Sequence, residues 1–470
     1  MKYLLQAIVL ILFLNSGLAS TLNVPGDFTS VQTAVENAVD GDTIIVSDGV
    51  YFERIDLLGK SIVVASLYAI DGDSAHISGT VIDSDTLAIG ASETGSVLRA
   101  SGSFPSEPEA VVIGLTLQNG QADEGGGVYC REYDLTLRNC VLKDNWASQG
   151  QVAFLFHSAT SMTLDSCEIY GGGGSISSFY SWLKTDKLIQ KKCTISNSRI
   201  YDTHIRPRYK TAIVSCTLSN GSVTAFQSDY SITGSSLDSC LIEGIDGASL
   251  SIDSSALTAC DVNVDRFSSF EVSSSLVTGT IDVISYAFDA SNSTFIGTVH
   301  LGMGSSSYPA TFDKCIIVTD GSAAITCGEQ QLLTLSCCDL SGCDSSSWLS
   351  GSPTHLDTFN IVFADPLFCD KVGGDYHLMA ASPCGELSSP CDTLIGVYGV
   401  GCRYKYGDAD GSGETDIDDI IFILEYIFSA GYSPLPLESA DADCSGDIDI
   451  DDAVYLVSYI FSGGPEPCTI

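Results

Sequence analysis

Positive charge is scarce in this chain. Its 470 residues hold 20 Lys and Arg against 59 Asp and Glu, a formal net charge of −39. Without a cationic face to displace counterions from phosphate, nucleic-acid binding and docking on anionic membranes are excluded as general modes. Long apolar runs are also missing. After residue 14 nothing approaches the eighteen or so apolar residues that a membrane-spanning helix needs. Methionine (4) and tryptophan (3) are rare, and cysteine is absent before Cys130. What remains is rich in Ser, Gly, Val, Ile and Leu, which suits many short strands better than long helices. Hydrophobic residues make up 44% and charged residues only 17%, so the acidity does not reflect disorder.

The first residues carry an address. Lys2 precedes the apolar run Leu4–Leu14, and small residues follow at Gly17 and Ala19. This three-part pattern predicts a secretory signal over residues 1–19, and hence an extracellular or cell-surface protein. The 18 cysteines fit an oxidising compartment, where each must be paired or buried.

A repeat occupies the middle of the chain. The pattern apolar-x-apolar-x-x-(Cys or Ser)-x-apolar appears as Leu135-x-Leu137-x-x-Cys140-x-Leu142 and again as Met162-x-Leu164-x-x-Cys167-x-Ile169. It returns around Ser198, Cys216, Cys240, Cys260, Ser275, Ser293, Cys315 and Cys338, on average every 22 residues. Period-two alternation means strands. The repeat is too short for a propeller blade and has no helical half. It fits one turn of a right-handed parallel β-helix, about 11–13 coils in all, over residues 20–345. A small side chain is demanded at the Cys/Ser position. Stacked coils hold such cysteines parallel, about 4.8 Å apart, in poor geometry for a disulfide. The seven cysteines are therefore expected to form a buried ladder of free thiols.

Residues Val24-Pro25-Gly26-Asp27-Phe28, Gly41-Asp42-Thr43, Gly49-Val50-Tyr51-Phe52-Glu53 and Gly59-Lys60 resemble the first coils of pectin-lyase-like β-helix proteins. The resemblance implies a capping helix near Val31–Val39 that plugs the apolar end of the solenoid. That superfamily holds lyases, hydrolases and non-catalytic proteins, so it implies a fold and no single reaction. Farther on, Asp365-Pro366-Leu367-Phe368, Gly374-Asp375-Tyr376-His377-Leu378 and Ser382-Pro383-Cys384 resemble the tail of some secreted bacterial β-helices. Residues 346–402 read as a cap, with Cys369, Cys384, Cys391 and Cys402 expected to form two disulfides of open pairing.

The C-terminus holds the sharpest motif. Residues 408–419 and 441–452 are matched loops, offset by 33, with oxygen-bearing side chains at positions 1, 3, 5, 9 and 12 and glycine at 6. Calcium takes six to eight hard oxygens from such a loop. The candidate ligands are Asp408, Asp410, Ser412, the carbonyl of Glu414, Asp416 and Asp419, then Asp441, Asp443, Ser445, the carbonyl of Asp447, Asp449 and Asp452. Each loop is expected to run into a helix, Ile420–Phe428 and Ala453–Phe461. The pair closely resembles a type I dockerin over residues 403–470. The resemblance implies a small all-α domain with two calcium ions. It also implies a cohesin-type partner contacted through Ile417-Asp418 and Ile450-Asp451. Cys444 and Cys468 stand alone in this module and are expected to pair.

Catalytic motifs are thin. The Asn-Thr-Asp, Asp-Asp, Gly-His-Gly and Arg-Ile-Lys set of polygalacturonases does not occur, and the catalytic residues are unknown. Eight of the twenty basic residues lie between Lys184 and Lys210. Arg206, Arg208 and Lys210 alternate and would share a face in an extended segment, which suits an acidic polysaccharide. Three classes stay open: a polysaccharide lyase or glycoside hydrolase, a non-catalytic polysaccharide-binding protein, and a structural or adhesive surface protein.

Overall fold

The computed structural model describes residues 19–85, 95–102, 108–147, 151–156, 161–170, 175–179, 192–206, 210–226, 229–245, 247–264, 269–284, 287–302, 309–329, 331–379, 381–401, 405–410, 412, 414–429, 431–434 and 437–468. The expected signal segment lies outside these residues. Among them no helix is long and apolar enough to cross a membrane.

The strands build a parallel β-helix. Sheet one has 15 strands, from Thr21–Val24 to His355–Phe359. Sheets two and three have 13 each, starting at Gly49–Phe52 and Ile55–Asp56. One coil shows the plan: Ser249–Asp253 in sheet one, Ala256–Thr258 in sheet two and Asp261–Val264 in sheet three. Each strand pairs in parallel with its equivalents in the coils before and after, as Leu250 does with Tyr230 and Phe270. Alternate residues point inward and stack in register, so Ile232, Ile252 and Val272 form one apolar column. The stack runs past residue 345 to Phe359.

The corners explain the repeat. Between sheets one and two a single residue takes left-handed backbone, as Asn139, Ser166, Ser254 and Ser274 do. The small residue follows it. The Ser255 hydroxyl donates to the Asp253 carbonyl and accepts from the Ser235 amide, while the Ser275 hydroxyl accepts from the Ser255 amide. The Cys216 thiol likewise donates to the Val214 carbonyl. Position after position, a compact group with a donor satisfies buried backbone at the bend, and both Ser and Cys can do this.

Here the structure corrects the sequence register. Cys140, Cys167, Ser198, Cys216, Ser275, Ser293, Cys315 and Cys338 follow sheet one. Cys240 and Cys260 instead follow sheet two, after the left-handed Ser239 and Ala259. Ser235 and Ser255 fill the vacated places in the first ladder. The two corners share one local pattern, which is why the sequence merged them. All seven ladder cysteines are buried free thiols, as expected.

The capping helix is Val31–Asn37, with Val31, Ala34 and Val35 buried. Two motif residues hold its ends. The Glu53 carboxylate accepts from the Val31 and Gln32 amides at 2.8 Å. Lys60 Nζ donates to the carbonyls of Val35, Glu36 and Ala38 at 2.7, 2.7 and 2.8 Å. An anion at the N-terminus and a cation at the C-terminus satisfy orphan backbone groups and oppose the helix dipole.

The tail differs from the expected cap. Cys391 pairs with Cys337, in the last coils, across a Cα separation of 6.1 Å. Cys369 is also disulfide-bonded. Cys384 is a buried free thiol, so two disulfides among the four tail cysteines do not form. Phe368, Leu378, Cys384 and Ile395 pack on Ile316 and Val318, which face outward from sheet two. The tail thus lies along the side of the stack there. Gly396 N donates to the Lys314 carbonyl at 2.8 Å and Val397 N to Thr294 Oγ1 at 3.2 Å.

Candidate functional site

The two C-terminal loops fold alike. In the first, the amides of Asp410 and Asp416 donate to the two oxygens of Asp419, at 3.2 and 2.8 Å. In the second, the amides of Asp443 and Asp449 donate to Asp452, at 3.2 and 2.9 Å. Each last carboxylate thereby ties its loop closed. The helices are Ile417–Ser429 and Ile450–Ser462, starting three residues before the expected bounds. The reason is a capping box: Asp449 accepts from the Asp451 amide, and Asp452 reaches back to the cap. The loop's ninth residue is therefore also the helix cap.

Asp408, Asp410 and Asp419 place one carboxylate oxygen each within 4.8 Å of one another, as do Asp441, Asp443 and Asp452. Asp419 and Asp452 are fully buried. Burial, together with the charges of Asp410 and Asp408, pushes the Asp419 carboxyl up to about 6. Asp452 is raised for the same reason, burial first and then Asp443 and Asp441. Oδ1 of Asp441 is buried and has no hydrogen-bond partner, while its Oδ2 accepts from Gly446 N at 3.0 Å. A buried carboxylate oxygen without a donor fits a cation, and this all-oxygen donor set fits calcium. Ser412, Glu414, Ser445 and Asp447 sit on the turns between these carboxylates, where the Ser412 and Ser445 hydroxyls donate to the carbonyls of Glu414 and Asp447.

The module's small core is Ala409, Ile420, Ile423, Ala440, Ala442, Ala453 and Leu456. The opposite sides of its helices leave apolar groups exposed in matching places: Ile417 and Ile450, Ile421 and Val454, Phe428 and Phe461. Asp418 and Asp451 are exposed beside them. Cys444 and Cys468 are bonded, with Cα atoms 6.4 Å apart.

Arg206 and Lys210 do not share a strand. Arg206 ends the strand His204–Arg206 in sheet three, and Lys210 opens Lys210–Val214 in sheet one. These two strands belong to different sheets. Arg208 lies outside the described residues, and only the backbone of Arg206 and Lys210 is described. Arg199, from the same run, is paired with Glu168 at 2.9 Å.

A row of chemistry-bearing residues that the sequence reading missed lies on the outside of sheet three. Glu243, Asn263, Asp282, His300 and Thr326 occupy equivalent positions on five successive coils. They are 18 to 26 residues apart, so no local motif reveals them. His300 Nδ1 lies 2.5 Å from Thr326 Oγ1.

The chain matches no family model and no curated protein. It is similar to several solved structures. One is a carrot pectin methylesterase, at 15% identity over 50% of this chain and 81% of that one, with a TM-score of 0.30. Another is the A-module of a mannuronan C-5 epimerase from Azotobacter vinelandii, at 11% identity over 73% and 100%, with a TM-score of 0.31. A third is a mannuronic-acid-specific family 6 polysaccharide lyase from human gut microbiota, at 12% identity over 74% and 88%, with a TM-score of 0.32. The parallel β-helix rests on the strand register of this chain itself.

Proposed function

We propose that this is an exported protein whose C-terminal module takes two calcium ions and docks, in dockerin fashion, on a cohesin-type partner. The β-helix is thereby held where it can bind polysaccharide. One observation carries the reading: two loops offset by 33 residues each converge three carboxylates, and buried Asp441 Oδ1 has no donor. The matched exposed apolar pairs, flanked by Asp418 and Asp451, supply a surface for a partner. Calcium titration calorimetry on the chelator-treated full chain tests the metal. Two ions per chain are expected, and no calcium uptake at millimolar concentration overturns the reading.

A second reading is a polysaccharide lyase or glycoside hydrolase. The row of Glu243, Asp282 and His300 favours it, because carboxylates and an imidazole aligned on one face can move protons at a bound sugar. Product release from pectins, alginates and xylans, lost in His300→Ala, is its test.

A further inference from the structure

A cavity of about 600 Å³ opens where the returning tail lies against the last coils. That is within the size range of small-molecule sites. Val318 and Ser341, register partners on the outside of sheet two, line it together with Thr319 and Cys343 from the corner that follows. The rest of the lining comes from two places. One is the turn at Asp344 and Ser347. The other is the tail from Phe363 to Pro366, with Phe368 and Lys371 of the next hairpin.

This lining is held in place. Ala364 N donates to Asp339 Oδ1 at 3.3 Å, and the Pro366 carbonyl accepts from Ser382 Oγ at 2.5 Å. Phe368 meets the Tyr376 ring edge-on, with centroids 5.3 Å apart. Across the cavity, Asp344 Oδ1 accepts from the Ser346 amide at 2.8 Å. Groups fixed in advance lose little freedom when a ligand arrives. The groups left over are the informative ones. Ser341 is only 8% exposed, and its hydroxyl has no hydrogen-bond partner among the described residues. Lys371 is exposed and has no ion-pair partner among them. Asp365 Oδ1 accepts from the Leu367 amide at 2.9 Å, while its Oδ2 has no partner among the described residues. The Phe363 side chain is 38% exposed.

We infer that this cavity binds a short stretch of a neutral saccharide. Two carboxylates, Asp344 and Asp365, and one ammonium, Lys371, line it. A uronate would meet two like charges for one opposite charge. A sugar hydroxyl both donates and accepts, so a neutral ring can donate to the carboxylates and accept from Lys371. The free Ser341 hydroxyl can pair with it in either sense. The apolar C–H face of the ring finds Phe363 and Val318. The cavity is separate from the row of Glu243, Asp282 and His300, which lies on sheet three.

The inference rests on the polysaccharide half of the proposed function and is independent of its calcium half. Cys343 supplies the test. It lines the cavity, and among the described residues it is the one free thiol that is not buried. Maleimide labelling of the full chain with its disulfides intact, mapped by peptide mass spectrometry, therefore reads occupancy of this cavity. Xylotriose, cellotriose or mannotriose at millimolar concentration should slow labelling of Cys343 about ten-fold, and trigalacturonate less. Phe363→Ala and Lys371→Ala should each remove most of that protection. Their labelling rates without ligand should match wild type, which controls for a collapsed cavity. Phe363→Tyr, which keeps a ring, should stay protected. If both alanine variants are protected as wild type is, the binding groups assigned here are wrong. If affinity gel electrophoresis shows polysaccharide binding but no trisaccharide protects Cys343, the cavity is wrong and the general reading survives. If the chain binds no polysaccharide and Cys343 is never protected, both fall. Stronger protection by trigalacturonate, or by a dipeptide, overturns the neutral-saccharide assignment.

Discussion

The Cys384 thiol donates to Oδ2 of Asp339 across 3.1 Å, and both side chains are fully buried where the tail meets the last coils. A second donor to that carboxyl is the Ala364 amide, at 3.3 Å from Oδ1. Burial dominates: it pushes Asp339 from 3.8 up to about 7, with the charge of Asp365 adding to it. The same burial, with Asp339 opposite, pushes the Cys384 thiol up, so the thiol stays protonated.

The sign of the pH dependence follows. A carboxyl raised on folding favours the folded state most where it is neutral in both states. That support is complete below the unfolded value near 3.8 and is lost as pH rises through about 7. The loss is on the order of 4 kcal/mol. Hydrogen-exchange protection of residues 366–395, taken relative to the intrinsic amide rate at each pH, should therefore fall between pH 4 and pH 8. Asp339→Asn should flatten that dependence, and an unchanged profile in this variant would assign it to other groups.

Glu53 and Lys60 should matter more than surface charges do. Glu53→Ala leaves the Val31 and Gln32 amides without their acceptor and is expected to cost about 1–2 kcal/mol. Lys60→Ala should cost a similar amount. Urea midpoints measure both, and Glu53→Gln, which keeps an acceptor but loses the charge, should fall between.

At the corner ladder, Ser255→Ala removes the acceptor of the buried Ser235 amide. A cost of about 1–3 kcal/mol is expected. Ser255→Cys should restore part of it, since cysteines fill the same place at Cys216 and Cys315. Thermal denaturation of the two variants, side by side, decides whether donor chemistry or size alone selects Ser and Cys.

In the C-terminal module, Asp452→Asn should weaken calcium uptake by one ion and leave the Asp408–Asp419 loop competent. Asp419→Asn should do the reverse. Chelation should lower helix content in wild type, because the clustered carboxylates then repel one another. Calorimetric stoichiometry and circular dichroism report the two effects.

The fold was legible because it is periodic. Alternation such as Leu135-x-Leu137 records which side chains point inward, and its recurrence records stacking. The assignment of Cys240 and Cys260 failed because both corners need the same thing, a small side chain after a left-handed residue. Cys337 was hidden beside Cys338: one points to the tail and the other into the core ladder. The loop carboxylates were visible because each set lies within twelve residues of sequence. The row of Glu243, Asp282 and His300 was not, since residues brought together from separate coils leave no local spacing to read.

The Cys337–Cys391 bridge also decides how the molecule would bear a pull. Tension entering through the C-terminal module would travel along the chain to Cys391 and cross the sulfur link to Cys337, bypassing the stretch of sequence between two positions 54 apart. The exposed edge strand His355–Phe359 lies inside that closed loop and would carry none of the load. Stretching such a chain should peel coils beginning near Cys337, while the bypassed length stays slack until the bridge is reduced.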